Sequence, residues 1–186
     1  ALPGGLADRW GGDVTRWLSP GVAAEFDIAT PPQDADQVWS DLQMIGIDLA
    51  IQPAGGRRKR ILIADMDSTM INQECIDELA DMAGFGPRVA EITARAMNGE
   101  LDFNAALTER VALLANLPEA VIAQVLAERI TYAAGGPALV ATMRAHGAYT
   151  ALVSGGFTSF TQAVAQTLGF DEHRANTLLT QDGVLT

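Results

Sequence analysis

Two apolar runs, each ending on a polar loop, restrict what this chain can fold into. Ile61, Leu62, Ile63 and Ala64 run unbroken into Asp65, and Tyr149 to Val153 run into Ser154. Such runs predict strands of a parallel sheet covered on both faces. Parallel neighbours need a crossover, and a whole βαβ unit takes about 30 residues. More than 80 residues separate these two runs, so an extra block is inserted between them.

That block carries a helical period. Ile76, Leu79, Ala80 and Ala83 fall on one face, as do Val89, Ile92 and Ala96. Phe103, Leu107, Val111 and Leu114 repeat the pattern, and Val121, Ile122, Val125 and Leu126 follow after Pro118. Three or four short amphipathic helices are expected to bundle there as a cap. Gly135, Gly136 and Pro137 then open a helix that Gly147 closes, and a further helix runs from the Ser154-Gly155-Gly156 loop to Gly169. Ala175 to Thr180, the turn Gln181-Asp182-Gly183 and Val184 to Thr186 predict a hairpin.

Upstream, Gln52 to Arg60 changes composition sharply and is expected to be a linker. The piece before it predicts a small α/β unit: an extended stretch at Thr30-Pro31-Pro32, a helix over Asp34 to Met44 and a short strand over Ile47 to Ile51. Divided this way, the chain has an N-terminal segment at 1–56, a core made of 57–72 and 134–186, and a cap at 73–133.

Composition limits the function classes. With 48% apolar residues among 186, the chain has material for a sizeable core, which excludes disordered and collagen-like classes. Twelve basic against 23 acidic side chains leave a net charge of −11, which disfavours nucleic acid and anionic membranes as partners. The basic run Arg57 to Arg60 is expected to be a solvated edge. One cysteine, Cys75, forms no internal disulfide, and no apolar run reaches the roughly 18 residues of a membrane span, so a cytoplasmic setting is expected.

The two strand-end loops carry the candidate chemistry, because ligands of open α/β sheets bind outside the carboxyl ends of strands. One aspartate after Ile61–Ala64 is explained by helix capping. Two of them, Asp65 and Asp67, flanking Met66, are not. An ionised Asp65 can attack phosphorus and form an acyl phosphate. A hard divalent cation, Mg²⁺ with phosphate as co-ligand, would offset the charge repulsion. Asp67 then serves as general acid and later as base, while Thr69 and loop amides hold phosphoryl oxygens. Ser154 and the N–H groups of Gly155 and Gly156 can cradle an anion at a helix start.

Taken together, the segments Asp65-Met-Asp-Ser-Thr-Met-Ile71, Glu74-Cys-Ile-Asp-Glu78, Arg95 to Phe103, Arg110-Val111 and Val153-Ser-Gly-Gly-Phe157 resemble the haloacid dehalogenase superfamily. Within it they resemble the phosphoserine phosphatases, over roughly Arg57 to Thr186. The resemblance implies an α/β fold: a Rossmann-like parallel core, a small helical cap after the first core strand and a variable N-terminal α/β segment. It implies hydrolysis of O-phosphoserine, the last step of serine synthesis, with Asp65 as nucleophile and Asp67 as acid/base. By the same resemblance Mg²⁺ is bound by Asp65 and the Asp67 carbonyl, and Ser154 and Gly155 contact phosphate. Glu74 faces the substrate ammonium, Arg110 its carboxylate, and Met97 and Phe103 form an apolar lid. A zwitterionic substrate end calls for one anion and one guanidinium, which agrees. Two other readings stay open: a phosphatase for another small phosphorylated metabolite, and a noncatalytic phospho-ligand binding homologue. The oligomeric state is open, a homodimer being one option.

The pattern departs from the family after Ser154. No lysine follows it, Lys59 being the sole lysine of the chain, and no Gly-Asp-Gly-x-x-Asp loop is present. The expectation is therefore a truncated chain whose residues 1–186 are nearly inactive by themselves.

Overall fold

The computed structural model describes residues 2–186, which divide into two compact units on either side of the Arg58–Lys59 bond. In the first, helix α1 (Leu2–Arg9) precedes a hairpin of β1 (Arg16–Ser19) and β2 (Ala23–Glu25), and helix α2 (Ala35–Gln43) follows. Trp10 fastens the unit: its indole N–H donates to Asp34 at 2.9 Å and its ring lies 6.1 Å from that of Phe26. Glu25 is paired with both Arg16 and Arg57. The expected strand at Ile47–Ile51 does not form. A strand needs a ladder partner for its backbone groups, and β1 and β2 pair with each other in a two-stranded sheet. From Met44 to Arg60 there is no helix or strand.

The second unit is built on a three-stranded parallel sheet in the order β3 (Ile61–Ala64), β4 (Tyr149–Phe157), β5 (Glu172–Asn176). Between β3 and β4 come α3 (Cys75–Met82), α4 (Gly86–Met97), α5 (Phe103–Ala112), α6 (Ala120–Glu128) and the crossover helix α7 (Gly136–Ala145). Helix α8 (Thr158–Leu168) links β4 to β5. Most of the apolar faces read from the sequence are buried: Leu79, Val89, Ile92 and Val125 are at most 1% exposed, and Leu79, Val89 and Val125 share a core with Leu152, Phe157, Phe160 and Val164, whereas Phe103 is 61% exposed. Gly169, in the left-handed region at φ 82°, terminates α8, where a side chain would add strain.

Two expectations change here. The strand Ile61–Ala64 is not covered on both faces: Leu62 and Ala64 point into the core, whereas Ile61 and Ile63 are 61% and 68% exposed. Right-handed crossovers that step across the sheet in one direction put α7 and α8 on the same face. Ile61, Ile63, Tyr149 and Val153 are exposed on the other. The C-terminal hairpin also differs. Its first strand is β6 (Thr180–Gln181), pairing with β7 (Val184–Leu185), while Glu172–Asn176 joins β4 as a third parallel strand. Glu-His-Arg-Ala-Asn is too polar to announce a buried strand, yet β4 supplies its ladder. Among the described residues no helix is long and apolar enough to cross a membrane.

Candidate active site

The Asp65–Met70 loop leaves β3 and is wound around one carbonyl. The N–H groups of Thr69, Met70 and Ile71 all donate to Met66 O, at 3.2, 2.9 and 3.1 Å. Met66 itself is fully buried, an anchor that leaves its two aspartate neighbours at the mouth. Ser68 takes a positive φ of 51° to close the turn. Its hydroxyl donates to Glu74 Oε1 at 2.6 Å, and its N–H to Gln73 O at 3.1 Å.

Asp65 is exposed and one of its oxygens accepts from the Met66 N–H at 2.7 Å. Asp67 is half-buried and accepts from the Cys75 N–H at the start of α3, at 3.3 Å. Burial lifts the Asp67 carboxyl above its ordinary range, against the bonds from Cys75 that lower it, and the charges of Glu74 and Asp65 add to the rise. A raised carboxyl holds a proton more readily. The Cys75 thiol, buried beside Asp67, is pushed up as well and stays neutral.

Ser154–Gly156 is not the loop after the strand that the sequence suggests: β4 runs on to Phe157, where its pairing with β5 resumes, and these three residues form a bulge within it. Val153 pairs with Arg174 and Phe157 with Asn176, so three residues of β4 face one of β5. Gly156 donates its N–H to Ser154 Oγ at 2.9 Å. A Cβ on Gly156 would sit 2.8 Å from Asp67 Oδ2 and 3.1 Å from Ser154 Oγ, so this glycine is where the two loops meet and leaves no room for a side chain.

The structure brings only some of the sequence-derived residues together. Asp67, Ser154, Gly155 and Phe103 are brought together: the Phe103 ring, on the first turn of α5, lies 3.2 Å from where a Gly155 Cβ would be. Glu74, exposed at the start of α3, faces the Asp loop through Ser68. Arg110 closes α5 with its guanidinium on Ala106 O at 3.3 Å and Thr93 Oγ1 at 3.5 Å, neither of them acidic. Met97 is 85% exposed at the end of α4, so no core contact accounts for it. Thr69 is exposed. Two neighbours went unread in the sequence. Asp77, one turn along α3 from Glu74, is raised by burial and by Glu74 and lowered by Arg110. Asn176, on β5, donates its side-chain N–H to Gly155 O at 2.8 Å. The Asn176 contact joins distant segments and left no signal in the local sequence.

Among the described residues no three His, Cys, Asp or Glu side chains gather as a metal cage. A cavity of about 580 Å³ is lined by Trp10, Phe26, Ile28, Pro31, Leu49 and Arg57, away from both loops in sequence and confined to Ala1–Arg58.

The family profile of haloacid dehalogenase-like hydrolases matches residues 62–186. A phosphoserine phosphatase of Albidiferax ferrireducens is 48% identical over 128 residues, covering 68% of this chain and 54% of that protein. One of Archaeoglobus fulgidus is 39% identical over 171 residues, covering 89% and 49%. The chain spans about half the length of the curated relatives it matches. Among solved structures, a HAD family hydrolase from Salmonella enterica subsp. enterica serovar Typhi superposes on all of this chain and 66% of its own, with TM-score 0.86 and 29% identity.

Proposed function

The chain belongs to the haloacid dehalogenase-like hydrolases, and on that premise we propose that the protein hydrolyses O-phospho-L-serine to L-serine and phosphate. The meeting of Asp67 with the Ser154–Gly156 loop at Gly156 carries this reading. It sets a protonatable carboxyl beside a set of anion-accepting donors, and Asp65 stands one buried residue away. The curated relatives named as phosphoserine phosphatases support the substrate.

In this proposal a carboxylate oxygen of Asp65 attacks phosphorus and the bond from phosphorus to the serine oxygen breaks. Asp67 gives its proton to that leaving oxygen. Asp67, now a carboxylate, takes a proton from water as the water oxygen attacks the acyl phosphate. The bond between Asp65 and phosphorus then breaks, releasing phosphate and restoring both acids. Ser154 and the loop amides hold phosphoryl oxygens, Glu74 the substrate ammonium and Arg110 its carboxylate. Phe103, packed over Gly155, and Met97 exclude water as parts of a cap formed by α3 to α6.

The Asp65 carboxylate and the Asp67 carbonyl are hard oxygen donors that fit Mg²⁺, which binds one or two protein oxygens with phosphate and water completing the shell. Bound there, Mg²⁺ would offset the charge between Asp65 and the phosphoryl group. A cytoplasmic setting belongs to the same proposal.

The test is selectivity in the full-length protein. Arg110→Ala should lower kcat/KM for O-phosphoserine about 10- to 100-fold, the range for a lost charge-assisted pair. Turnover of p-nitrophenyl phosphate should stay within about two-fold. Equal losses on both substrates would remove the amino-acid reading and favour another phosphorylated metabolite.

A further inference from the structure

We propose that Asn176 is a positioning residue for the phosphate-binding loop, acting through Ser154. The proposal rests on reading Ser154 as a phosphate contact. The bulge at Ser154–Gly156 sets three residues of β4 opposite one of β5 and so interrupts the regular ladder. The Asn176 carboxamide holds the middle one: its Nδ2 donates to Gly155 O at 2.8 Å. In a trans peptide the C=O and the following N–H point in opposite directions. With the Gly155 carbonyl held toward Asn176, the Gly156 N–H is aimed the other way, and there it meets Ser154 Oγ at 2.9 Å.

That second bond decides what the serine can do. A hydroxyl has one hydrogen and two acceptor positions. With an N–H occupying an acceptor position of Ser154 Oγ, the hydroxyl hydrogen is turned away from Gly156 and left to donate to an anion. Asn176, on β5, therefore sets the polarity of a hydroxyl on the neighbouring strand through a single peptide plane. The other two members of the relay cannot provide this alone: Gly155 and Gly156 carry no side chain, and glycine peptides flip more freely than others. Asn176 is exposed, so its bond has no packing role that would by itself explain it.

The experiment is a double-mutant cycle in the full-length protein with Mg²⁺, reading the competitive inhibition constant of inorganic phosphate and the thermal midpoint. Ser154→Ala and Asn176→Ala should each weaken phosphate binding about three- to ten-fold, the range of one hydrogen bond. Asn176→Leu, which keeps bulk and lacks the donor, should match Asn176→Ala. The combined variant should be no weaker than Ser154→Ala within about two-fold, because Asn176 has nothing left to orient. With Ser154→Ala weakened, additive losses, a loss in Asn176→Ala that Asn176→Leu does not share, or an unchanged constant in both Asn176 variants would overturn the proposal while leaving the serine's role intact. An unchanged constant in Ser154→Ala would instead overturn the phosphate-loop reading and this inference with it.

Discussion

The Asp65–Met70 loop follows the carboxyl end of β3 and the Ser154–Gly156 loop is a bulge near the carboxyl end of β4, yet they are held by opposite means. The first is self-contained: three consecutive N–H groups converge on Met66 O, and Met66 is buried beneath it. The second is a bulge with two glycines, and its hydrogen bonds run from Gly156 back to Ser154 and across to Asn176 on another strand. The charge differs in the same sense. Asp65, Asp67 and Glu74 crowd the first loop, and their mutual repulsion helps raise Asp67. The second loop offers only neutral donors. The acidic loop is held mostly by backbone bonds onto Met66 and the residues just after it, whereas the serine segment is also held from a neighbouring strand.

The largest effect should come from the charged loop. Asp65→Asn keeps shape and removes the attacking oxyanion, so phosphate release from O-phosphoserine should fall by about 10³-fold or more in steady-state assays. Activity near the parent level would break the division of labour between the loops.

Gly156→Ala should rank next, since it strikes the point where the loops touch. A methyl 2.8 Å from Asp67 Oδ2 must displace that carboxyl, and a misplacement of about 1 Å costs about 10²-fold in kcat. Overpacking should also cost about 1–3 kcal/mol in denaturant unfolding. A variant with both properties unchanged would mean that the loops do not press on each other.

The smallest effect concerns the far end of the strand that bears the serine loop. Asp171 accepts from the Thr150 N–H and hydroxyl, both at 2.9 Å, and pairs with Arg144 at 3.2 Å. Those bonds, the backbone one first, hold its carboxyl below the ordinary range. A lowered pKa means that the stabilisation is complete above the ordinary value of about 3.9 and is lost as pH falls through the lowered one. Asp171→Asn should therefore lower the thermal midpoint modestly at neutral pH, and the gap from the parent should close as the medium is acidified below about pH 3.9. A gap that widens on acidification would contradict the assignment.

Much of this arrangement was legible in the residues. The run Ile61–Ala64 into Asp65 places the acidic loop at a strand end, and the 3.6-residue period from Ile76 to Leu126 marks the inserted helices, because burial of one helix face leaves a periodic trace. The third parallel strand left no such trace: Glu172–Asn176 is polar and alternates with a side chain such as His173, which meets Thr161 at 3.0 Å. Ile47–Ile51 misled in the opposite direction, having an apolar pattern and no ladder partner. The exposure of Ile61 and Ile63 was equally hidden, since an apolar run does not say which of its two faces is covered.

The sequence by itself determined the chemistry on offer: two aspartates around an apolar anchor, a serine with two glycines, and helices enough for a cover. Short-range spacing is enough for that, because hydroxyls, carboxylates and helix periods are properties of neighbouring residues. Only the tertiary structure decided that Gly156, having no Cβ, lets Asp67 and Ser154 close in on it, and that Asn176 holds the serine segment from the neighbouring strand. Those contacts join segments that are brought together by strand register and packing, and neither leaves a mark in the local order of the chain.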